Sequence, residues 1–326
     1  MRIVALMLLL MAWESLSMSS VAREVVDRIY ESGIVCKEAM LVPRKIDWDR
    51  MPERLRPKTN ERLDAQRKHR ASVEAFATVV GDMRSPDGAK FAFADVCAGE
   101  GDLALPLAWQ LGDLSGETIE CLAVDIDDRA RLKLGEKVRD DDNIKVKTLC
   151  ADVATLPEED FEVIVALRAC GAVADLAIRS AVLAKKSFVV SPCCLWKAMI
   201  PRTTEDLSSS AFFGAGRPSD LDYPRSRWLG SRLSNSEFQL VAAADDSSAA
   251  RSSASLGGPR TPLYRRARRL VEHDRLAFAE ENEAYVTRLL RFPGSDNDLT
   301  GLLLGAPQGS NAADAINNLH TIEHVS

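Results

Sequence analysis

The sequence is poor in aromatic residues, 6% of 326, and has no excess of positive charge: 42 Lys and Arg stand against 48 Asp and Glu, a net of −6. That balance excludes a uniformly basic nucleic-acid binder, and the scarcity of rings disfavours a base-stacking platform. Long apolar stretches are also missing. The run from Ile3 to Trp13 has eleven residues, whereas a membrane-crossing helix needs ~20, so no stable membrane insertion is expected. There is no C-x-x-C pair, and no metal site is expected. The seven cysteines are odd in number. Most sit in or beside expected strands (Cys97, Cys121, Cys150, Cys170, Cys193), which does not suit a secreted disulfide framework.

What is present suits a folded enzyme. At 46% hydrophobic and 28% charged residues the chain can bury a sizeable core. Its length fits one elaborated domain or a domain with appendages. The charge is uneven: Asp95 to Glu162 holds 18 acidic against 7 basic residues, whereas Leu41 to Arg70 holds 10 basic against 5 acidic. Arg2, the apolar run and Ser20-Val21-Ala22 have the pattern of a signal peptide, which predicts a targeting segment over 1–22 with cleavage after Ala22. An organelle reached through the secretory route is the compartment implied. The alternatives are a buried N-terminal helix, or a start at Met18, with a cytoplasmic protein.

The following residues predict a helical, basic leader over 23–80, with a helix at Val21–Met40, a proline-punctuated connector and a basic amphipathic helix at Lys58–Val80. Strands are expected at Phe91–Cys97, Thr118–Val124, Lys145–Cys150, Phe161–Leu167 and Ser187–Val190, with helices at Leu103–Leu111, Arg129–Arg139 and Asp175–Ala184 between them. Short apolar strands alternating with helices mean a mostly parallel, doubly wound α/β sheet covered on both faces. A partly disordered insertion is expected at about 201–262, including the low-complexity run from Asp245 to Ser253. A basic helix, Tyr264–Asn282, and a hairpin, Tyr285–Arg291 with Leu299–Leu304, are expected to complete the 81–306 domain at the sheet edge. A flexible tail, 307–326, is expected to follow.

Asp95-Val96-Cys97-Ala98-Gly99-Glu100-Gly101-Asp102 lies where a strand turns into a helix. Glycines let a ligand approach the backbone, and the helix start offers free N–H groups. Asp125 ends the second strand, placed for ribose hydroxyls, and Asp152 follows the third, where it can meet an adenine amino group. Asp95, Ala98, Gly99, Gly101, Asp125 and Asp152 are the candidate cofactor residues. Three acids at successive strand ends, with Glu100 and Asp102 in the loop, suit a positively charged nucleoside better than a pyrophosphate. S-adenosyl-L-methionine is the expected cofactor, with NAD(P) and an oxidoreductase as the alternative.

These residues carry a family resemblance. Asp95-x-Cys97-Ala98-Gly99-x-Gly101 resembles the first motif of class I S-adenosylmethionine-dependent methyltransferases. The segments Ala166 to Ile178 and Phe188 to Cys194, with Ile46 to Pro52 and the stretch through Gly305-Ala306-Pro307, resemble the methyltransferase domain of the glutathione S-transferase C-terminal domain-containing proteins. That domain is similar in turn to tRNA 2′-O-methyltransferases. The resemblance covers roughly 46–195 and 264–307, and implies a Rossmann-like fold with an antiparallel C-terminal strand, methyl transfer and an RNA acceptor. It departs at Arg168, where the family usually has His; arginine cannot serve as a base at neutral pH but can hold a phosphate or carboxylate. A scaffold that binds cofactor or RNA without catalysis is therefore a further alternative.

Arg168, Cys193 and Asp175 are the catalytic candidates, because ligands in open α/β sheets bind beyond the carboxyl ends of the strands. Asp175 is the one plausible base among them, although Asp at a helix start is commonly an N-cap. Cys97, Cys170 and Cys193 converge on one edge of the cleft if their strands are neighbours; buried packing is their ordinary explanation. Arg265, Arg266, Arg268 and Arg269 are the candidate RNA contacts, with the basic stretch from Arg54 to Arg70 beside them. The ordinary explanation for such runs is a solvated helix face.

Overall fold

The computed structural model describes residues 20–33, 38–57, 63–84, 90–138, 144–156, 161–194, 221–244, 262–293 and 301–323. In chain order these form α1 (20–31), β1 (Glu38–Leu41), α2 (Leu63–Met83), β2 (Ala92–Val96), α3 (Ala104–Ser115), β3 (Ile119–Asp125), α4 (Asp128–Lys137), β4 (Ile144–Cys150), β5 (Val163–Cys170), α5 (Ala172–Leu183) and β6 (Ser187–Cys194). The chain continues through α6 (Arg227–Gly230), α7 (Asn235–Ala244), α8 (Pro262–Glu283), β7 (Tyr285–Arg291), β8 (Leu302–Pro307), α9 (Asn311–Asn318) and β9 (Thr321–Glu323).

The nine strands form one sheet in the order β4-β3-β2-β5-β6-β8-β7-β1-β9. From β4 to β6 the pairings are parallel, and β8 runs antiparallel to both β6 and β7. The central strands read as unbroken apolar runs because both of their faces are covered. On one face α1, α5, α7 and α8 pack against Val96, Ile164 and Phe188; on the other α2, α3 and α9 pack against Phe93, Val165 and Val189. The chain proceeds from β2 outward to β4, then returns to β5 on the other side of β2. That reversal opens a crevice at the carboxyl ends of β2 and β5.

Three expectations about the periphery are corrected. The hairpin is real, but β8 enters the sheet between β6 and β7 instead of lying at an edge. Its Gly305 faces Phe188, and a Cβ there would lie 2.2 Å from Phe188 Cε1, so the ring of β6 reaches across the space a side chain would fill. The tail is not loose over its described part: α9 buries Ala313 and Ile316, and β9 pairs with β1. Within the stretch read as an insertion, residues 221–244 are ordered around the helices α6 and α7, and Leu221, Tyr223, Leu229, Leu233, Phe238 and Val241 join the core. The low-complexity run 245–253 lies outside the described residues, as does most of the apolar N-terminal segment. Ala22, the expected cleavage point, sits within α1 and is 4% exposed.

The segment before α7 is held by α8. Asp274 accepts from the N–H groups of Arg225 at 2.8 Å and Ser226 at 2.9 Å, and Glu281 from those of Arg227 at 2.6 Å and Trp228 at 2.8 Å. Two acids seven residues apart on one helix thus take four consecutive backbone donors that no regular structure pairs. Among the described residues no helix is long and apolar enough to cross a membrane.

Candidate functional site

The loop after β2 turns into α3 through three residues of positive φ: Cys97 at 62°, Gly99 at 53° and Gly101 at 83°. Gly101 is doubly required, since a Cβ would lie 2.9 Å from Leu105 Cγ and 3.0 Å from Leu134 Cγ in a backbone conformation that L side chains rarely adopt. Gly99 differs: nothing lies within 4 Å of its Cβ position, so the loop presents bare backbone to open space there. Ala98 ties the loop down, its N–H donating to Val124 O at 3.1 Å while its carbonyl accepts from Gly101 at 2.9 Å.

Asp125, at the tip of β3, is aimed by two backbone donors. Gly99 N–H reaches Oδ2 and Asp127 N–H reaches Oδ1, each at 2.8 Å. The carboxylate is only partly buried and keeps lone pairs for a ligand hydroxyl. Asp152, after β4, caps the short turn Val153–Thr155 by accepting from Ala154 N–H at 3.0 Å. Asp95 lies beneath the loop: it is 1% exposed and accepts from the backbone N–H of Ala104 at the start of α3. Its Oδ2 is buried with no hydrogen-bond partner. Burial, and then the neighbouring Asp125 carboxylate, push its pKa well above the ordinary carboxylate range, so that the carboxyl holds its proton more tightly.

The acids of the loop are less free than their number suggests. Lys133 pairs with Glu100 at 3.1 Å, and Lys137 donates to the Glu100 carbonyl at 2.6 Å and lies 3.8 Å from Asp102. His69 of α2 meets the Asp102 carbonyl through Nε2 at 3.0 Å, fastening the basic leader helix to the loop. An aimed carboxylate beside bare glycine backbone fits an adenosine-bearing cofactor.

Across the crevice, β5 ends in a bulge, its register with β6 shifting between Leu167, Ala169 and Cys170. Arg168 sits in that bulge at φ 57°, exposed, and no ion pair holds it among the described residues. A bulge re-aims a side chain relative to the regular strand, and this one lies at the carboxyl end of β5.

The other catalytic candidates are corrected. Asp175 is neither N-cap nor base. Helix α5 begins after Gly171, and Asp175 is 2% exposed, bound by Arg275 through Nε and Nη2 at 2.9 Å each and by the Tyr223 hydroxyl at 2.8 Å. A carboxylate so enclosed cannot reach an acceptor proton. Cys193 is bonded to Cys170 in a disulfide joining the tips of β6 and β5, so it offers no thiolate. Cys97 is exposed and outside that bond.

The RNA candidates divide in the same way. Arg268 is 3% exposed and bound to Glu272, Arg266 pairs with Asp27 and lies over the Tyr30 ring, and Arg269 faces Glu38 at 3.4 Å. Only Arg265 of the four is exposed. Arg70 of the leader lies 5.1 Å from the centre of the Trp48 ring, and Arg56 donates to the carbonyls of Met51 and Asp49. A run of arginines states charge but not direction; Glu272 draws Arg268 inward, and Asp27 and Glu38 engage Arg266 and Arg269. The available signal was the four-residue spacing of Arg268 and Glu272 on the helix.

Residues 67–198 match the family model described as a methyltransferase domain. The glutathione S-transferase C-terminal domain-containing protein of Xenopus laevis is 22% identical over 264 residues, covering 80% of this chain and 38% of that protein. The protein of that name from Mus musculus is 24% identical over 294 residues, covering 87% and 41%. The chain therefore spans about two fifths of the length of these relatives. Among solved structures, a DszA carbon methyltransferase overlaps 77% of this chain and 56% of its own at 14% identity and a TM-score of 0.39. An S-adenosylmethionine-dependent methyltransferase from Clostridium acetobutylicum overlaps 42% and 55% at 14% identity and a TM-score of 0.29.

Proposed function

We propose that this chain is a class I methyltransferase that uses S-adenosyl-L-methionine to methylate RNA; its match to a methyltransferase-domain model over residues 67–198 supports the reaction class. When bound, the cofactor supplies a methyl group on a positively charged sulfur. The chain's own part begins with the loop after β2: Gly99 leaves the backbone open to the nucleoside, and Asp125, aimed by the amides of Gly99 and Asp127, accepts from ribose hydroxyls. Asp152 borders the adenine side. Asp95 supports this arrangement from below through the start of α3.

The observation that carries the acceptor is Arg168. It is exposed, without an ion-pair partner among the described residues, and held in a left-handed conformation on the strand beside the cofactor loop. An exposed guanidinium there suits an anionic acceptor, and its planar fork matches a phosphodiester. The resemblance to enzymes that methylate tRNA ribose points the same way. With Asp175 sealed in its ion pair, the transfer depends on alignment, a contribution of up to about 7–11 kcal/mol in well-oriented reactions. The methyltransferase family match favours this reading over the NAD(P)-dependent one.

The test is incubation of the full chain with tritium-labelled S-adenosylmethionine and separate pools of total tRNA, ribosomal RNA and protein. Label in an RNA pool that ribonuclease removes supports the reading, and Arg168→Glu should abolish it while leaving S-adenosylhomocysteine affinity within about twofold. Label confined to protein, or saturable cofactor binding with label in no pool, overturns it.

A further inference from the structure

The buried charges of α8 lead to the tips of the strands that border the acceptor side. Arg268 donates through Nε to Glu272 at 3.1 Å, through Nη1 to the Cys193 carbonyl at 3.1 Å, and through Nη2 to the Pro192 carbonyl. Glu272, itself 0% exposed, is gripped by Arg291, which donates to Oε1 at 3.0 Å and Oε2 at 2.6 Å. Arg291 also donates to Glu38 of β1 at 2.9 Å. Charges of alternating sign thus run through the interior from β1, by way of β7 and α8, to the end of β6.

Such a chain is a poor way to gain stability, because well-packed apolar side chains often do as well as buried ions. Its endpoint explains it better. Pro192 has no N–H and sits where the β5–β6 register breaks, so regular pairing fails at this tip. Arg268 supplies donors to two successive carbonyls there. The second belongs to Cys193, whose disulfide reaches Cys170, two residues beyond Arg168 and next to Gly171, both of positive φ. The same helix touches the other side of that turn, since Arg275 Nη2 donates to the Gly171 carbonyl at 3.4 Å.

We propose that Arg268 is a positioning residue for the acceptor side of the site. From inside the fold it fixes the tip of β6, and through the Cys193–Cys170 bond it fixes the tip of β5 that carries Arg168. This rests on the methyl-transfer reading for its kinetic consequence alone. The cofactor loop, after β2 and against β3, is held by other contacts, so the effect of losing Arg268 falls on the transfer step and spares cofactor binding.

The experiment compares the full chain with Arg268→Met and Arg268→Lys. Active sites are counted by calorimetric titration with S-adenosylhomocysteine, and transfer from labelled S-adenosylmethionine to total tRNA is expressed per site. In Arg268→Met the affinity should stay within about twofold and the KM for S-adenosylmethionine should hold, while kcat per site falls at least tenfold. Lysine, which keeps the charge but gathers its donors on one atom where Arg268 spreads them over three nitrogens, should recover part of that loss. A merely structural role would reduce the number of sites and leave each at full rate; an unchanged kcat per site overturns the proposal. If the methionine variant does not fold, the lysine variant carries the comparison, with an intermediate fall expected and no fall as the overturning result. If the parent methylates neither tRNA nor ribosomal RNA, the RNA reading fails, and positioning is judged by alkylation of Cys170 and Cys193 in the native proteins under limiting dithiothreitol. Alkylation at least tenfold faster in Arg268→Met supports it, and equal rates overturn it.

Discussion

Arg275 closes over both carboxylate oxygens of Asp175, Nε to Oδ1 and Nη2 to Oδ2 at 2.9 Å each, and both side chains are 1% exposed. The pair joins α5, which follows the acceptor-side strand, to α8 behind it. The Tyr223 hydroxyl completes it at 2.8 Å, and burial with the Asp175 charge pushes that phenol well above its ordinary range. What reads in sequence as a base is a buried structural joint.

Removing one partner of that joint should be severe. Arg275→Met leaves a buried carboxylate uncompensated and should cost about 3–5 kcal/mol of folding stability. Combining it with Asp175→Leu should return much of the loss. Urea unfolding of both variants checks this, and a double variant no better than the single one would contradict it.

Asp125→Ala should weaken S-adenosylhomocysteine binding by about 1–3 kcal/mol, because it removes a charged acceptor and releases the amides of Gly99 and Asp127 that aim it. Calorimetric titration is the measurement. An unchanged affinity would remove the cofactor from the tip of β3.

The two glycines of the loop should respond differently to alanine. Gly101→Ala adds a clash with Leu105 and Leu134 to an unfavourable φ, and should cost about 2–4 kcal/mol of stability. Gly99→Ala pays for the backbone conformation alone, about 1–2 kcal/mol, but should lose S-adenosylhomocysteine affinity out of proportion. Thermal melts with and without that ligand separate the two, and equal ligand protection in both variants would count against the open face at Gly99.

Neighbouring residues of α8 should set opposing pH dependences. Burial pushes Asp274 up to about 6 against the hydrogen bonds of Ser226 and Arg225, and burial with the Arg269 charge pushes His273 down to about 4. The raised acid contributes stability present below its unfolded pKa of about 3.8 and lost as pH rises through 6. The depressed histidine acts oppositely: stability is full above its unfolded value near 6.5 and lost as pH falls toward 4. Between about 4 and 6 the two slopes, each ~1.4 kcal/mol per pH unit, should largely cancel. Asp274→Asn should expose the histidine slope, so that stability climbs with pH across this window. Urea midpoints at several pH values test this; parallel profiles for parent and variant would refute it.

The legible part of the molecule was local in character. Phe93, Val124, Val165 and Val189 lie in strands whose apolar runs announce a doubly covered sheet, and the glycine loop with Asp125 announces itself by spacing. Short peripheral elements were illegible for the same reason: β1 has four residues and β9 three, too few for a period to show. Residues 221–244 read as an insertion because their polar groups find partners, Asp274 and Glu281, that stand some 50 positions away in the chain.

From sequence alone came the alternation of strands and helices, the loop after β2 and the carboxylate at the tip of β3, since each depends on residues close together in the chain. The tertiary structure decided which charges face outward. Arg168 and Arg268 are the same residue type, each beside a strand tip; one is exposed in a bulge and the other lies among Glu272 and two carbonyls. An arginine's direction depends on whether a desolvated site offers it enough acceptors to offset the water it gives up. Those acceptors come from other elements, so only the assembled fold can supply them.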